Sequence, residues 1–222
     1  MPEEFLDAIQ DRVLVADGAM GTMLYAKGVY VNRCYDEMNL SEPDKVQEIH
    51  REYLQAGADL IETNTFGANP VKLRGHGLAE KVEEVNRRGA QLARDVAGER
   101  AWVGGSVGPL GKPLSPIGKI SVREARDLFR PQMRGLIAGG VDLIVIETVS
   151  DIQEISAAIQ AVHLEGELPI LAMATFPAEG RTLMGYTPEE VMTSLTRMGV
   201  QVVGANCSEG PHDMLDTVQR LH

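Results

Sequence analysis

Val200-Gln201-Val202-Val203-Gly204-Ala205-Asn206-Cys207-Ser208-Glu209-Gly210-Pro211 holds a strand, a loop and the first turn of a helix. An apolar run ends at a glycine, a polar loop follows, and Pro211 opens an amphipathic stretch. A short apolar run bounded by turn residues predicts a buried strand. Cys207 then stands where that strand exits into a loop, and in parallel α/β folds ligands bind at such exits. A thiol there suits a soft metal or a nucleophilic role.

The same unit recurs upstream. Strands are predicted at Val13–Ala16, Asp59–Glu62, Trp102–Ser106, Asp142–Glu147, Ile170–Thr175 and Val200–Ala205, with starts 46, 43, 40, 28 and 30 residues apart. These runs are apolar without alternation, as in strands buried in a parallel sheet. Helices separate them. Pro43 opens one that carries Val46, Ile49, Tyr53 and Leu54 and closes at Gly57; another runs from about Glu80 to Ala97. Ser121 with Glu124, and Thr187 with Glu190, form capping boxes, with Pro188 at the first helical position. Asp151 caps a helix whose apolar face is Ile152, Ile155, Ile159 and Val162, and a last helix begins near Pro211. No low-complexity linker divides the chain. Its 222 residues, 44% hydrophobic, can bury one core, so one domain spanning 1–222 is expected.

Repeated β/α units admit a doubly wound sheet or a (β/α)8 barrel. Every strand exit carries polar or glycine-rich sequence: Asp17-Gly18-Ala19-Met20-Gly21-Thr22, Glu62-Thr63-Asn64-Thr65-Phe66-Gly67, Gly105-Ser106-Val107-Gly108-Pro109, Glu147-Thr148-Val149, Thr175-Phe176 and the Cys207 loop. An open sheet concentrates ligand contacts at one switch point, whereas a barrel gathers all strand exits at one mouth. The expectation is an α/β fold, a (β/α)8 TIM barrel of which this chain supplies about six units.

Net charge is −11, which argues against nucleic acid or an anionic membrane as partner. No window approaches the ~18 apolar residues of a membrane span. The opening Met1-Pro2-Glu3-Glu4-Phe5 lacks a basic region before an apolar one. Cys34 and Cys207 are the only cysteines, too few for a disulfide framework. A cytoplasmic protein is expected. The five histidines share no metal-ligand spacing, Cys34 falls in an irregular segment, and Glu83-Glu84 and Glu189-Glu190 read as solvated or capping helix charges.

Four motifs in order resemble the homocysteine S-methyltransferase family, most closely the N-terminal homocysteine-binding module of its cobalamin-dependent members. They are Asp17-Gly18-Ala19-Met20-Gly21-Thr22, Ile61-Glu62-Thr63-Asn64-Thr65-Phe66-Gly67-Ala68-Asn69, Ile146-Glu147-Thr148 and Gly204 to Pro211. The resemblance implies a barrel with zinc at its C-terminal mouth, held by the cysteine of the Asn-Cys loop and by a Cys-Cys pair after the last strand. Cys207 matches the first ligand. No Cys-Cys pair is present, and the sequence stops before the family's seventh and eighth units; the further zinc ligands are expected roughly 65 residues beyond His222. Methylcobalamin on a separate module, with a folate-binding module regenerating it, is the implied methyl source.

Homocysteine is the implied substrate. Zinc would lower its thiol pKa from about 8.5 and present the thiolate to the methyl group, with no side chain acting as nucleophile. Its ammonium needs acceptors, and Asp17 and Glu147 stand at strand ends. Its carboxylate needs donors, which the turn at Gly18 and Ala19 and residue Ser106 can supply. Thr63 and Asn64 can orient the substrate or the acids, and Asn206 can order the Cys207 loop. A stand-alone enzyme with a sulfonium or betaine-type donor, and an inactive fragment with an incomplete zinc site, stay open as alternatives. A barrel aldolase would need a lysine at a strand end, and none of the six is placed there.

Overall fold

The computed structural model describes residues 2–177, 180–208 and 210–221. Elements follow in the order α1 (Pro2–Asp11), α2 (Met20–Ala26), α3 (Met38–Ser41), α4 (Pro43–Gln55), β1 (Leu60–Glu62), α5 (Pro70–Arg74), α6 (Val82–Ala97), β2 (Trp102–Val107), α7 (Val122–Gly139), β3 (Leu143–Val149), α8 (Ile152–Glu165), β4 (Ile170–Ala174), α9 (Pro188–Arg197), β5 (Val202–Ala205) and α10 (Pro211–Leu221). The five strands are all parallel and lie in the order β1-β2-β3-β4-β5. That order contains no reversal, so the sheet has no topological switch point and is not doubly wound.

Each strand has an outer and an inner face. Ile61, Val103, Ile144, Ile146, Ile170, Ala172 and Ala174 point outward into a core shared with the helices. Leu60, Trp102, Leu143, Val145, Leu171, Met173 and Val202 point inward, where Phe5, Leu6 and Ile9 of α1 pack against them. Phe5 meets Trp102 edge to face, ring centroids 5.9 Å apart. The expectation of strands apolar on both faces therefore holds only for their lower part. At the exits the inner face turns polar.

The predicted first strand, Val13–Ala16, is a correction. Only Ala16 forms a bridge, to Leu60. Val15 carbonyl accepts from the amides of Asp59 and Leu60, and the Asp59 carboxylate accepts from the Val15 amide. The segment thus runs beside β1, but its other edge faces no strand among the described residues. Val13 is 88% exposed and Val15 56% exposed, so apolar content alone does not complete a ladder there. The predicted helix from Glu80 also starts later: Ala79–Lys81 is a 3₁₀ turn, and α-helix begins at Val82.

The helix signals hold as local chemistry. Ser121 and Thr187 each accept from the backbone three residues on, while Glu124 and Glu190 reach back to the cap amides. Asp151 caps α8 through the Gln153 amide. Thr187→Ala should remove the α9 capping box and cost about 1 kcal/mol. Urea unfolding with an unchanged slope and a lower midpoint is the expected result.

Candidate functional site

The loop after Ala16 and the exits of β1, β2, β3 and β5 open into one cavity of about 860 Å³. Strand alternation puts Glu62, Ser106 and Glu147 on the inner face, above the apolar layer that Met173 closes. Asp17 joins them from the preceding loop. Its backbone amide donates to Leu60, and its carboxylate accepts from the Glu62 amide at 3.0 Å. Three carboxyls therefore converge at one mouth, with Cys207 exposed beside them.

Asp17 and Glu62 resist ionisation. Burial pushes the Asp17 carboxyl up to about 7, against the pull of the Glu62 amide, and the charge of Glu147 adds to the rise. Burial also drives Glu62 well above the usual carboxylate range, reinforced by repulsion from Glu147 and Asp17. Glu147 is the carboxylate that the protein solvates. Ser106 hydroxyl donates to its Oε1 at 2.6 Å, Asn206 Nδ2 to its Oε2 at 3.0 Å, and Thr148 hydroxyl to Oε2 at 3.2 Å.

Asn206 bonds two strand exits together. Besides Glu147, its Nδ2 donates to Thr148 Oγ1 at 2.9 Å, and its Oδ1 accepts from the Thr148 amide at 3.0 Å. Thr148 has φ 59° and Cys207 φ 46°, both in the left-handed region. A β-branched residue there costs of order 1–3 kcal/mol and persists only when its surroundings hold it. The β3–β4 register shifts at this point, between Ile146 and Val149.

Thr63 and Asn64 line the cavity but engage the protein. Thr63 Oγ1 lies 2.6 Å from Thr65 Oγ1 and accepts from the Ser106 amide. Asn64 donates to Tyr35 carbonyl and to Asn39, which donates back to Asn64 carbonyl. Gly18 and Ala19 lie on the cavity wall, where Tyr53 hydroxyl donates to Ala19 carbonyl. Cys34, from the irregular segment before α3, is half-buried in the same cavity. Exposure of Cys207 rules out a packing role for it. Glu209 of the same loop, and His222, lie outside the described residues.

Glu62 is the residue that sequence reasoning passed over. The signal was present: Ile61-Glu62-Thr63 repeats the Ile146-Glu147-Thr148 triplet at the end of a second strand. Equal position in the β/α unit means equal position at the mouth.

A model of the family described as homocysteine S-methyltransferase matches residues 14–222. The chain belongs to the homocysteine S-methyltransferase family. It is 33% identical to methionine synthase of Mycobacterium tuberculosis over 235 aligned positions, which cover 98% of this chain and 20% of that protein. Identity to the Mycobacterium leprae methionine synthase is also 33%, covering 98% and 19%. The chain thus spans about a fifth of the length of these curated relatives. Among solved structures, the metallated form of the Escherichia coli homocysteine methyltransferase MmuM superposes with a TM-score of 0.86 at 26% identity, covering 98% of this chain and 82% of that one. Its apo form gives 0.77 at 25% identity.

Among the described residues no group of three or more His, Cys, Asp or Glu side chains is placed to hold a metal ion. Cys207 offers one sulfur, and a zinc site needs three or four protein ligands. This donor set does not fit a zinc ion without others.

Two outcomes test the site. The folded Asp17 carboxyl titrates near 7 and its unfolded counterpart near 3.8, so folding holds the proton more tightly. Stability from this group is full below about 4 and is lost as pH rises through about 7. Asp17→Asn should flatten that decline and unfold at higher urea than wild type at about pH 8. Separately, Asn206→Ala should lower stability by about 1–3 kcal/mol, and Thr148→Gly in the same chain should restore part of it by relieving the positive φ. Additive losses in the double variant would show that the two residues are not coupled.

Proposed function

We propose that residues 1–222 form the homocysteine-binding part of an S-methyltransferase, built on a (β/α)8-type barrel, which methylates homocysteine to methionine. The observation that carries this reading is the shared cavity: Asp17, Glu62 and Glu147 beside an exposed Cys207, in a chain of this family. The unreversed order of parallel strands, and the likeness to MmuM at a TM-score of 0.86, support the barrel.

The substrate ammonium binds between Asp17 and Glu147. Ser106 and Asn206 keep Glu147 oriented through the hydrogen bonds already described. Asp17 is partly protonated near neutral pH and must lose that proton to pair with the ammonium. Loop amides at Gly18 and Ala19 face the carboxylate, and Thr63 and Asn64 hold the loop that backs the acids. Anchored in this way, the thiol is directed toward Cys207. Zinc, when bound, would lower the thiol pKa, with Cys207 as one ligand and its other donors outside the described residues. The thiol sulfur would form a bond to the methyl carbon as that carbon's bond to the donor breaks, the donor leaving with the electron pair and the thiol proton passing to solvent.

Methylcobalamin on a separate module is the donor favoured by the likeness to the methionine synthases. A stand-alone enzyme using a small sulfonium or betaine-type donor is the second reading. It rests on the 82% coverage of the MmuM chain.

Calorimetry with homocysteine tests the binding step. Near pH 6.5 binding should release protons, so the measured heat should differ between buffers of unequal ionisation enthalpy. Affinity should rise as pH passes about 7, where Asp17 ionises without cost from the ligand. Glu147→Gln should weaken binding by about 10-fold or more, the loss of one charge-assisted hydrogen bond. Homocysteine binding that ignores pH and both acids would refute this reading. A chelator arm separates metal-dependent affinity from the contribution of the acids.

A further inference from the structure

The cavity that holds the acids also holds an ammonium. Lys72 of α5 and Arg33 both line it. Arg33 is engaged by Glu37, Glu42 and Ser41. Lys72 makes no salt bridge among the described residues. Its Nζ lies 4.5 Å from the centroid of the Phe66 ring instead. A ring face attracts the cation but accepts none of its hydrogen bonds in the manner of a carboxylate, so the N–H donors stay open to a ligand.

This placement is supported from below. The Phe66 ring sits against Gly108, where a Cβ would stand 2.5 Å from ring atom Cε2. The Lys72 stem lies on Gly111, where a Cβ would stand 3.3 Å from Cε. Two glycines in the loop after β2 therefore make room for the ring and for the stem. Phe66 carbonyl also accepts from the Gly108 amide, which fixes the platform to that loop. Burial pulls the Lys72 ammonium downward, while the charges of Asp36, Glu154 and Glu147 favour keeping it protonated.

Carboxyls alone can satisfy only the ammonium of an amino acid, and its carboxylate would meet like charge among them. We propose that Lys72 on its Phe66 platform is the cationic end of the cavity and pairs with the carboxylate of the amino-acid ligand alongside the loop amides at Gly18 and Ala19. The inference deepens the reading that this cavity binds homocysteine, and rests on it for the identity of the ligand.

The test compares L-homocysteine with 3-aminopropane-1-thiol, the same molecule without its carboxylate, by calorimetry on the full chain. Wild type should prefer homocysteine by about 10-fold. Lys72→Gln should bring the two affinities together by weakening homocysteine alone, and Lys72→Arg should keep part of the preference. An unchanged preference in Lys72→Gln overturns the proposal and leaves the carboxylate to the loop amides alone. If wild type binds neither compound, the homocysteine reading fails, and Lys72 is judged on wild-type chain alone. Butyrate at twice its dissociation constant should then slow acetylation of Lys72 by about 3-fold relative to the other five lysines, read by mass spectrometry. Equal rates for all six lysines would overturn the anion site. That second measurement also stands if Lys72→Gln does not fold.

Discussion

Parallel strands whose side chains alternate strictly between two faces put the chemistry of this protein where it is. The outer face is apolar along its whole length because helices cover it. The inner face is apolar only as far up as Val145 and Met173, and then carries Glu62, Ser106 and Glu147. A one-residue slip in β1 or β3 would exchange these faces, placing a carboxylate in the helical layer and an isoleucine in the cavity. The apolar outer core thus holds the polar mouth in register.

Bringing carboxyls together out of water is unfavourable, and the structure answers it differently at each one. Glu147 is solvated by three side-chain donors. Asp17 receives the Glu62 amide, and burial lifts its carboxyl into the neutral range. Glu62 is driven furthest, by burial and by both neighbours. A cluster of this kind is poorly satisfied alone and well satisfied by a cation. The strained backbone at Thr148 and Cys207 belongs to the same region, and Asn206 links it to Glu147. Binding strength and local strain are therefore coupled through a single carboxamide.

Much of this was legible from residue order. Five of the six predicted strands differ from the observed ones by no more than two residues at either end. These are Asp59–Glu62, Trp102–Ser106, Asp142–Glu147, Ile170–Thr175 and Val200–Ala205, the last of which starts two residues late. Both capping boxes form, because a cap is a contact within four residues. Val13–Ala16 fails as a strand because ladder formation depends on a neighbour, which local pattern does not encode. Glu62 was passed over because its strand was read as apolar without alternation, which hides which of its end residues points inward. Lys72 lies off any strand end, so only the fold of the loops around Gly108 and Gly111 brings it to the cavity.

Residue order therefore settled the periodic and local features: which runs are strands, where helices begin, and which loops carry polar groups. Those follow from interactions between residues close in the chain. Tertiary structure alone decided that four carboxyls (Asp17, Asp36, Glu62 and Glu147), the Lys72 ammonium and two thiols, Cys34 and Cys207, share a single cavity. It also decided which of them the protein solvates. Long-range packing sets these distances, and burial at that packing sets the charge each group can carry.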